Sequence, residues 1–319
     1  MRLNLSLIGG LLAAMVMSLL AGRHWIAPAE WLSGDLQSLI ITELRLPRIC
    51  LGALIGAALG MSGAAMQGYL RNPLADPGLF GISACAALGA VLSIFFGLAG
   101  VPFALPLFAL IAAALGAGLL MLLAGRSGSL ILFTLAGVML SSLAGALTAL
   151  VINLAPTPFA SAEIITWLMG ALTDRSWHDV LIALPLVIVG MALIMLKAAD
   201  LDALSLGDLA ARSMGVDMAR LQRVLIGGIA LCVGGSVAVA GVIGFVGLMV
   251  PHMVRPLVGH RPSALMIPSA LAGALLVVVA DMVVRIAPVA SEIRLGVMMS
   301  VLGAPFFLAL LLKMRRELA

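Results

Sequence analysis

Long runs of apolar residues follow one another along this chain, and charged residues fall almost entirely between them. A hydrocarbon core about 30 Å thick takes roughly twenty helical residues to cross, and ten runs reach or approach that length. They predict membrane-spanning helices at 3–22, 46–68, 79–97, 103–124, 130–154, 179–197, 222–242, 244–258, 264–285 and 296–312. The eighth run is short, and we expect it to cross incompletely.

Composition agrees with this pattern and excludes whole classes of protein. Of the 319 residues, 63% are hydrophobic and 10% are charged, whereas soluble domains carry about 25% charged residues. A chain this apolar cannot cover a water-facing surface, which excludes soluble enzymes, nucleic-acid-binding proteins and secreted disulfide scaffolds. The cysteines Cys50, Cys85 and Cys232 lie singly in apolar runs, without metal-site or redox spacing, and are predicted to be packing residues.

The positive charges predict the orientation of the chain in the membrane. With the amino terminus in the cytoplasm, twelve Lys and Arg residues lie on the cytoplasmic side and six on the other. The outer six are Arg23, Arg45, Arg48, Arg175, Arg285 and Arg294. Since cytoplasmic loops carry the positive excess, both termini are predicted to be cytoplasmic. The net charge of +4 therefore reflects membrane topology and does not indicate a nucleic-acid partner.

Small residues predict how the helices pack. Gly52, Gly56 and Gly60 recur every fourth position of the second span, and Gly63 follows them. Glycine at this spacing lets the backbone of another helix approach closely. The second span is therefore expected to lie inside the bundle.

Two kinds of transport energetics, ATP hydrolysis by a P-loop and ion coupling, each require particular residues. A phosphate-binding P-loop needs Lys after Gly, and the only lysines follow Leu196 and Leu312, so the chain has no P-loop of its own. An ion-coupled secondary transporter usually carries an ionisable residue at membrane depth, and the predicted spans place none near a midplane. Asp281 and Arg285 lie one helical turn apart near an outer helix end, where they are interpreted as a pair.

An intramembrane protease is a further alternative, because Gly60-Met61-Ser62-Gly63 matches a G-x-S-G pattern. A serine nucleophile needs a base within hydrogen-bonding distance. All four histidines fall at or beyond the ends of the spans, which leaves Ser62 without an evident base. Ser62 is therefore interpreted as a helix-packing residue.

The longest polar cytoplasmic stretch runs from Ala198 to Arg223, and it contains a predicted short helix. Asp208 and Arg212 are expected to form an i, i+4 pair in this helix, and Gly215 is a natural helix-terminating residue. Leu206, Ala210 and Met214 are expected to share an apolar face. Two interpretations remain open from the pattern: a helix tucked against the bundle, or one that docks into a groove of a partner.

Several motifs, in order along the chain, resemble one known family. They are RLPR at 45–48, GAALGMSGAAMQGYLRNPLADPGLFGIS at 56–83, SLGDLAARSMGV at 205–216, GFVGLMVPHMVR at 244–255, the D-x-x-x-R pair at 281 and 285, and LGVMMSVLGAPFF at 295–307. Together they resemble the FecCD family of bacterial ABC importer permeases, which serve the uptake of iron siderophores, heme and cobalamin. The resemblance covers nearly the whole chain.

The resemblance implies the architecture and the partners. The fold class expected is an all-α membrane protein, a ten-helix polytopic bundle of the type II ABC importer permease kind, forming one permease domain over 1–319. A second permease subunit, identical or a sister chain, is expected beside it in the bacterial inner membrane, in contact with membrane lipid. Two separate ATP-binding subunits and a periplasmic or lipoprotein substrate-binding protein complete the assembly. No cofactor is expected in this chain, since ATP and Mg²⁺ would bind the ATPase.

The resemblance also implies site residues. The ATPase-coupling helix, inside a coupling segment at about 198–220, would comprise Ser205, Leu206, Gly207, Asp208, Leu209, Ala210, Ala211, Arg212, Ser213, Met214 and Gly215. Arg45, Arg48 and Arg285 would receive acidic residues of the binding protein; the alternative for Arg45 and Arg48 is snorkelling at a helix end. Ser129 and Leu130 would lie at a cytoplasmic gate.

One departure from the family and one open question accompany these expectations. The family commonly has E-L-P-[LIV]-G where this chain has Glu292-Ile293-Arg294-Leu295-Gly296, so Arg294 adds an outer positive charge and a backbone N–H. The expected cargo is an iron chelate, first a ferric siderophore, with heme or cobalamin as alternatives. The competing class is the ion-coupled secondary transporter.

Overall fold

The structure, a computed structural model, describes residues 2–22, 25–28, 31, 35–125, 130–287 and 292–318, and the regular structure in these ranges is helical. The α-helices are α1 (Arg2–Leu20), α2 (Leu36–Leu39), α3 (Leu46–Leu70), α4 (Ile82–Phe95), α5 (Ala104–Ala124), α6 (Leu130–Asn153), α7 (Pro158–Leu168), α8 (Trp177–Met195), α9 (Ala198–Leu204), α10 (Asp208–Ser213), α11 (Met218–Ala240), α12 (Val246–Val258), α13 (Pro262–Ile286) and α14 (Leu295–Leu318).

Each of the ten predicted spans corresponds to a helix. Eight of the described helices are long and apolar enough to cross a membrane, and α4 and α12 are shorter apolar helices. With 13 residues, α12 extends about 20 Å, less than the roughly 30 Å of a hydrocarbon core. The short eighth span is thereby confirmed.

On the outer side, helical structure also lies outside the predicted spans. A π-helical segment, Ile40–Arg45, joins α2 to α3, so that helical structure runs without a break from Leu36 to Leu70. α7 lies in the connection between the fifth and sixth predicted spans. Its 11 residues begin at Pro158, and Thr157 caps the helix by accepting from the N–H of Ala160. A helix this short does not produce an apolar run long enough to read as a span.

The centre of the fold is the contact between α3 and α13, where backbone approaches backbone. A Cβ added at Gly56 would lie 2.2 Å from the carbonyl oxygen of Gly273, and one at Gly60 would lie 2.2 Å from that of Ser269. Real Cβ atoms do not come this close to backbone atoms. The predicted glycine face of the second span is therefore confirmed, and most of α3 is buried.

A backbone junction ties the outer connection after α7 to two other elements. The N–H of Ala171 donates to the carbonyl of Ala240 at 2.8 Å, and the N–H of Gly296 donates to the carbonyl of Gly170 at 3.1 Å. These bonds satisfy groups at the end of α11 and the start of α14. The connection is thus part of the packed body of the protein.

Candidate functional site

The segment predicted to couple to an ATPase, called the coupling segment below, contains two short helices. α9 and α10 are separated by Gly207, which has a φ of +107°. The predicted short helix is present, although its six residues cover only part of the expected 205–216. Gly215, with a φ of +87°, follows its end, where the N–H of Val216 donates to the carbonyl of Ala211. The predicted helix stop at Gly215 is confirmed.

One side of the coupling segment is apolar and exposed. Leu206 is 69% exposed, Leu209 is 83% exposed and Met214 is 63% exposed, whereas Ala211 is fully buried. The expected stripe had Ala210 in its centre, yet the most exposed apolar residue is Leu209. Three large, exposed apolar side chains on and beside a short helix form a surface that suits a groove in another protein.

The expected pair of Asp208 with Arg212 is wrong. Asp208 instead contacts Arg71, with 2.8 Å between Nη2 of Arg71 and Oδ1 of Asp208. Oδ1 of Asp208 has no well-aligned hydrogen bond among the described residues, so the contact is an ion pair without hydrogen-bond geometry. Arg71 ends α3 in a left-handed backbone conformation with a φ of +49°. A long-range contact of this kind has no periodic signal in the sequence.

A second contact joins the coupling segment to α13. The carboxylate of Asp202, in α9, accepts from the backbone N–H of Ser263 at 2.9 Å and from its hydroxyl at 2.5 Å. Ser263 lies in the first turn of α13, where free N–H groups favour an acidic partner. Asp202 therefore caps α13 from outside that helix.

The outer arginines form an ionic cluster around one buried carboxylate. Arg48 donates from Nε to both oxygens of Asp281 at 3.0 Å, and its Nη1 lies 3.0 Å from Glu292. Arg285 approaches Asp281 at 3.5 Å, which confirms the predicted pair, although Arg48 is the closer partner. Arg48 is 8% exposed and Asp281 is 2% exposed. The cluster connects α3, α13 and the segment before α14.

Two of these arginines also cap the end of α1. Arg45 donates to the carbonyls of Leu19 and Leu20 at 2.5 and 3.1 Å. Arg285 donates to the carbonyl of Ser18 at 2.9 Å and contacts its hydroxyl. A cation near a helix carboxyl terminus is favourable, because the last carbonyls there have no intrahelical partner. The predicted docking residues are therefore buried and hold helices together, and their docking role stays a prediction.

An open cavity of about 580 Å³ lies beside this cluster on the outer side. Its lining includes Trp25, Arg45, Arg48, Arg175, Arg285 and Glu292. Nη1 of Arg285 and Nε of Arg175 are buried without a hydrogen-bond partner in the part of the chain described. Buried donors of this kind favour an acceptor group that enters from outside.

Charges outside the spans set the electrostatics of the cavity rim. Burial works to raise the pKa of Glu292, but Arg48 and the hydrogen bond from Thr173 outweigh it, and that pKa is lowered. Burial lowers the pKa of Arg175; Asp179 and Asp174 oppose this, and Arg294 adds to it. Arg294, the departure from the family pattern, thus adds its charge next to Arg175.

The predicted gate is only partly described. Ser129 lies outside the described residues, and Leu130 begins α6. Leu130 lines a cavity of about 410 Å³ together with Asn72, Leu74 and Phe80. The gate prediction is not tested by this arrangement.

The loop between α3 and α4 holds a functional candidate that the sequence pattern did not single out. Asp76 accepts from the N–H of Gly78 at 2.7 Å and from the N–H of Leu248 in the first turn of α12. It therefore caps a helix that lies far away in the sequence. An acidic residue between two prolines could have been recognised in the sequence as a capping residue. The helix that it caps, far away along the chain, could not.

Comparison with known proteins shows one consistent relationship. The family described as the FecCD transport family matches residues 10–313. The vitamin B12 import system permease protein BtuC of Salmonella schwarzengrund is 38% identical over 316 residues, covering 98% of this chain and 95% of the relative. BtuC of Klebsiella pneumoniae is 38% identical over 307 residues, covering 96% and 92%.

Solved structures agree with the sequence matches. A metal-chelate type ABC transporter, described in an inward-facing conformation, has a TM-score of 0.90 and 31% identity, covering 98% of this chain and 99% of that one. PsaBC from Streptococcus pneumoniae, solved with a Fab, has a TM-score of 0.57 and 20% identity, covering 89% and 95%. The second likeness concerns the fold alone.

Proposed function

Because this chain belongs to the FecCD transport family and is a non-catalytic permease subunit of an ABC importer, we propose that it carries an organic metal chelate into the bacterial cytoplasm. The importer works with ATP-binding subunits and a substrate-binding protein, and the chain is a multi-pass protein of the inner membrane. We place ATP and Mg²⁺ in the partner ATPase.

Cobalamin is the first candidate cargo. The observation that carries it is 38% identity, over 98% of this chain, with permeases named for vitamin B12 import. A ferric siderophore, the cargo favoured by the motifs, is the second candidate. It is supported by the structural match to a metal-chelate type transporter at 31% identity. Both are metals held in a bulky organic chelator, so one path can suit either class.

Uptake by the purified assembly distinguishes these cargoes. The permease, its ATPase and its binding protein are reconstituted in proteoliposomes, and labelled cyanocobalamin or a labelled ferric siderophore is supplied with its binding protein. We expect ATP-dependent accumulation of cobalamin and none without ATP. Accumulation of the ferric siderophore alone would replace cobalamin as the cargo, and uptake driven by an ion gradient without ATP would contradict the whole proposal.

We propose α10 and its flanking residues as the ATPase contact. Support comes from the exposed apolar side chains of Leu206, Leu209 and Met214. An apolar knob on a short helix buries its side chains when it enters a groove, and the buried area stabilises the contact.

The outer cavity is proposed to receive a carboxylate of the binding protein. Arg48 pairs with Asp281 and Glu292 of this chain, whereas Arg285 and Arg175 keep buried nitrogen atoms without a hydrogen-bond partner among the described residues. The entering group would therefore find hydrogen-bond donors at Arg285 and Arg175, in a cavity that Arg45 and Arg48 also line. Opposite charges of this kind orient the encounter and set its register.

A second permease subunit completes the proposal. Large apolar side chains of α6 and α14 are exposed in the single chain, among them Leu135 at 61% and Val301 at 63%. A translocation path between two subunits would be lined in part by such helices. Whether the second subunit is identical or a sister chain is decided by the mass of the purified assembly.

A further inference from the structure

The covalent chain by itself attaches α10 loosely to the membrane helices. α10 lies between Gly207 and Gly215, both with positive φ values that L side chains rarely adopt. An added Cβ at either glycine would meet nothing within 4 Å, so neither position is held by packing. Of the six residues of this helix, Ala211 is the one that is buried, so α10 has little packing of its own. Another contact is needed if the movement of α10 is to reach the membrane.

α9, on the other side of Gly207, is firmly attached. Asp202 makes two hydrogen bonds to Ser263 at the start of α13, and Leu201 and Leu204 are fully buried. α13 in turn packs backbone to backbone on α3 through Gly56, as described above. α9 therefore belongs to the rigid body, whereas α10 is attached to it less firmly, with Ala211 as its buried residue.

The Arg71–Asp208 ion pair is the contact that spans this gap. Asp208 is the first residue of α10, directly after Gly207, and Arg71 is the residue that ends α3. The side chains are 37% and 43% exposed. An ion pair this exposed adds little to folding stability. What it supplies is a defined distance between α10 and the end of α3.

The end of α3 next to Arg71 is also in contact with α6. Tyr69, two residues earlier, is 2% exposed and lies within electrostatic reach of Asp208. Its ring centroid lies 5.6 Å from that of Phe133 in an edge-to-face arrangement, and Phe133 lies 5.2 Å from Phe80. Phe133 stands three positions after Leu130 at the start of α6. The coupling segment, the end of α3 and the cytoplasmic end of α6 are thus in one continuous contact.

We propose that the Arg71–Asp208 ion pair transmits displacement of α10 to α3 and, through Tyr69 and Phe133, to the cytoplasmic end of α6. Arg71 is a positioning residue in this scheme, since it acts through the helices it joins. The inference rests on the proposed function of α10 as the ATPase contact. It assigns coupling to a residue of the loop after α3, outside the coupling helix.

The test measures cargo uptake and ATP hydrolysis in the same proteoliposomes and compares their ratio. Arg71→Gln is expected to lower the number of cargo molecules moved per ATP by about threefold to tenfold, a change of the size that mutations along a coupling network produce. ATPase association and membrane insertion are expected to stay at wild-type levels. Arg261→Gln, which removes another exposed arginine, is the matched control and is expected to keep the wild-type ratio.

A charge-swapped double variant distinguishes loss of the ion pair from a local structural effect of changing Arg71. Arg71→Asp combined with Asp208→Arg is expected to recover most of the ratio lost in Arg71→Asp alone. A wild-type ratio in Arg71→Gln would overturn the inference, and so would an exchange that recovers nothing. If the wild-type assembly shows no ATP-driven uptake, the proposed function falls together with the inference. ATP-driven uptake that is insensitive to Arg71 overturns the inference alone.

Discussion

At the scale of single residues, the outer arginines Arg45, Arg48 and Arg285 join helices that are far apart in the sequence. Arg48 and Asp281 are 233 positions apart, yet they form the closest ion pair of the buried cluster. Removing one partner of a buried pair costs about 3–5 kcal/mol, because the other charge is left uncompensated. Reversing the charge of Arg48 would therefore report on folding more than on docking.

Glu292 offers a pH-dependent test of this cluster. Its pKa in the folded protein lies below the ordinary value of 4.5, so its ionised form stabilises the fold at neutral pH. That stabilisation is present above the ordinary pKa and is lost as the pH falls through the folded-state value. We expect Glu292→Gln to lower the thermal midpoint in detergent at pH 7, with a loss of up to about 1 kcal/mol.

The difference between wild type and Glu292→Gln should shrink as the pH falls below 4.5, because wild-type Glu292 then becomes neutral as well. Asp174→Asn, at the rim of the same cavity, serves as the control for a general effect of removing an outer acid. A difference that stays constant from pH 7 down through the folded-state pKa of Glu292 would show that Glu292 does not act through its charge.

At the scale of elements, the contact of α3 with α13 decides which glycines are replaceable. Glycines on one helical face were expected to allow close approach, and Gly56 and Gly60 do so. Other glycines in apolar runs meet no neighbour; Gly118 on α5 has nothing within 4 Å of an added Cβ. The same residue type therefore has opposite consequences in two spans.

Gly56→Ala is expected to destabilise the protein, because the new methyl group would lie 2.2 Å from a backbone oxygen of α13. Overpacking of this kind costs roughly 1–3 kcal/mol or more. Gly118→Ala is the matched control, and it should be neutral or slightly stabilising, since alanine is the better helix former by about 1 kcal/mol. Thermal unfolding of both variants in detergent gives the comparison, and equal midpoints would contradict the packing described.

The exposed face of α10 provides a test at the same scale. Leu209 is 83% exposed, so Leu209→Arg should leave folding and membrane insertion unchanged. If Leu209 enters a groove of the ATPase, the buried arginine would be unpaired and the complex should weaken by about 2 kcal/mol or more. Co-purification of the ATPase measures this effect. Leu209→Met, which keeps an apolar side chain of similar size, is the control, and normal ATPase retention by Leu209→Arg would exclude Leu209 from the interface.

At the scale of the whole molecule, positive charge is distributed unequally and serves two purposes. The cytoplasmic excess sets the orientation. On the outer side, Arg45, Arg48, Arg175 and Arg285 line one cavity. Among the described residues, the Nε of Arg175 is buried without a hydrogen-bond partner, and the charge of Arg294 acts on Arg175. Unlike Arg48, neither residue is part of the Asp281 cluster, so both can be changed without breaking it.

Arg175→Gln and Arg294→Gln are expected to weaken the affinity of the binding protein and to reduce its dependence on salt. Exposed opposite charges attract over about 10 Å at 0.1 M ionic strength, and added salt screens them. Titrations of the reconstituted transporter at several salt concentrations measure both quantities. Arg2→Gln, at the start of α1, is the control at the opposite end of that helix, and an unchanged salt dependence in both outer variants would remove this face from the docking surface.

The ten apolar helices and the glycine face were predictable because each rests on local spacing along the chain. The short helix at Asp208–Ser213 and its stop at Gly215 were predictable for the same reason. The partner of Asp208 was predicted wrongly, because i, i+4 spacing suggests Arg212 and says nothing about Arg71. α7 was missed, since 11 residues produce no long apolar run.

Sequence by itself determined that this protein crosses the membrane many times and which family it resembles, because the hydrophobic effect and the cost of unpaired backbone groups in lipid act on every stretch of chain separately. Only the tertiary structure decided which charges meet. Arg48 with Asp281, Asp202 with Ser263 and Arg71 with Asp208 are contacts between distant segments. Ion pairs depend on distances in space, and a linear pattern carries those distances only within one helix.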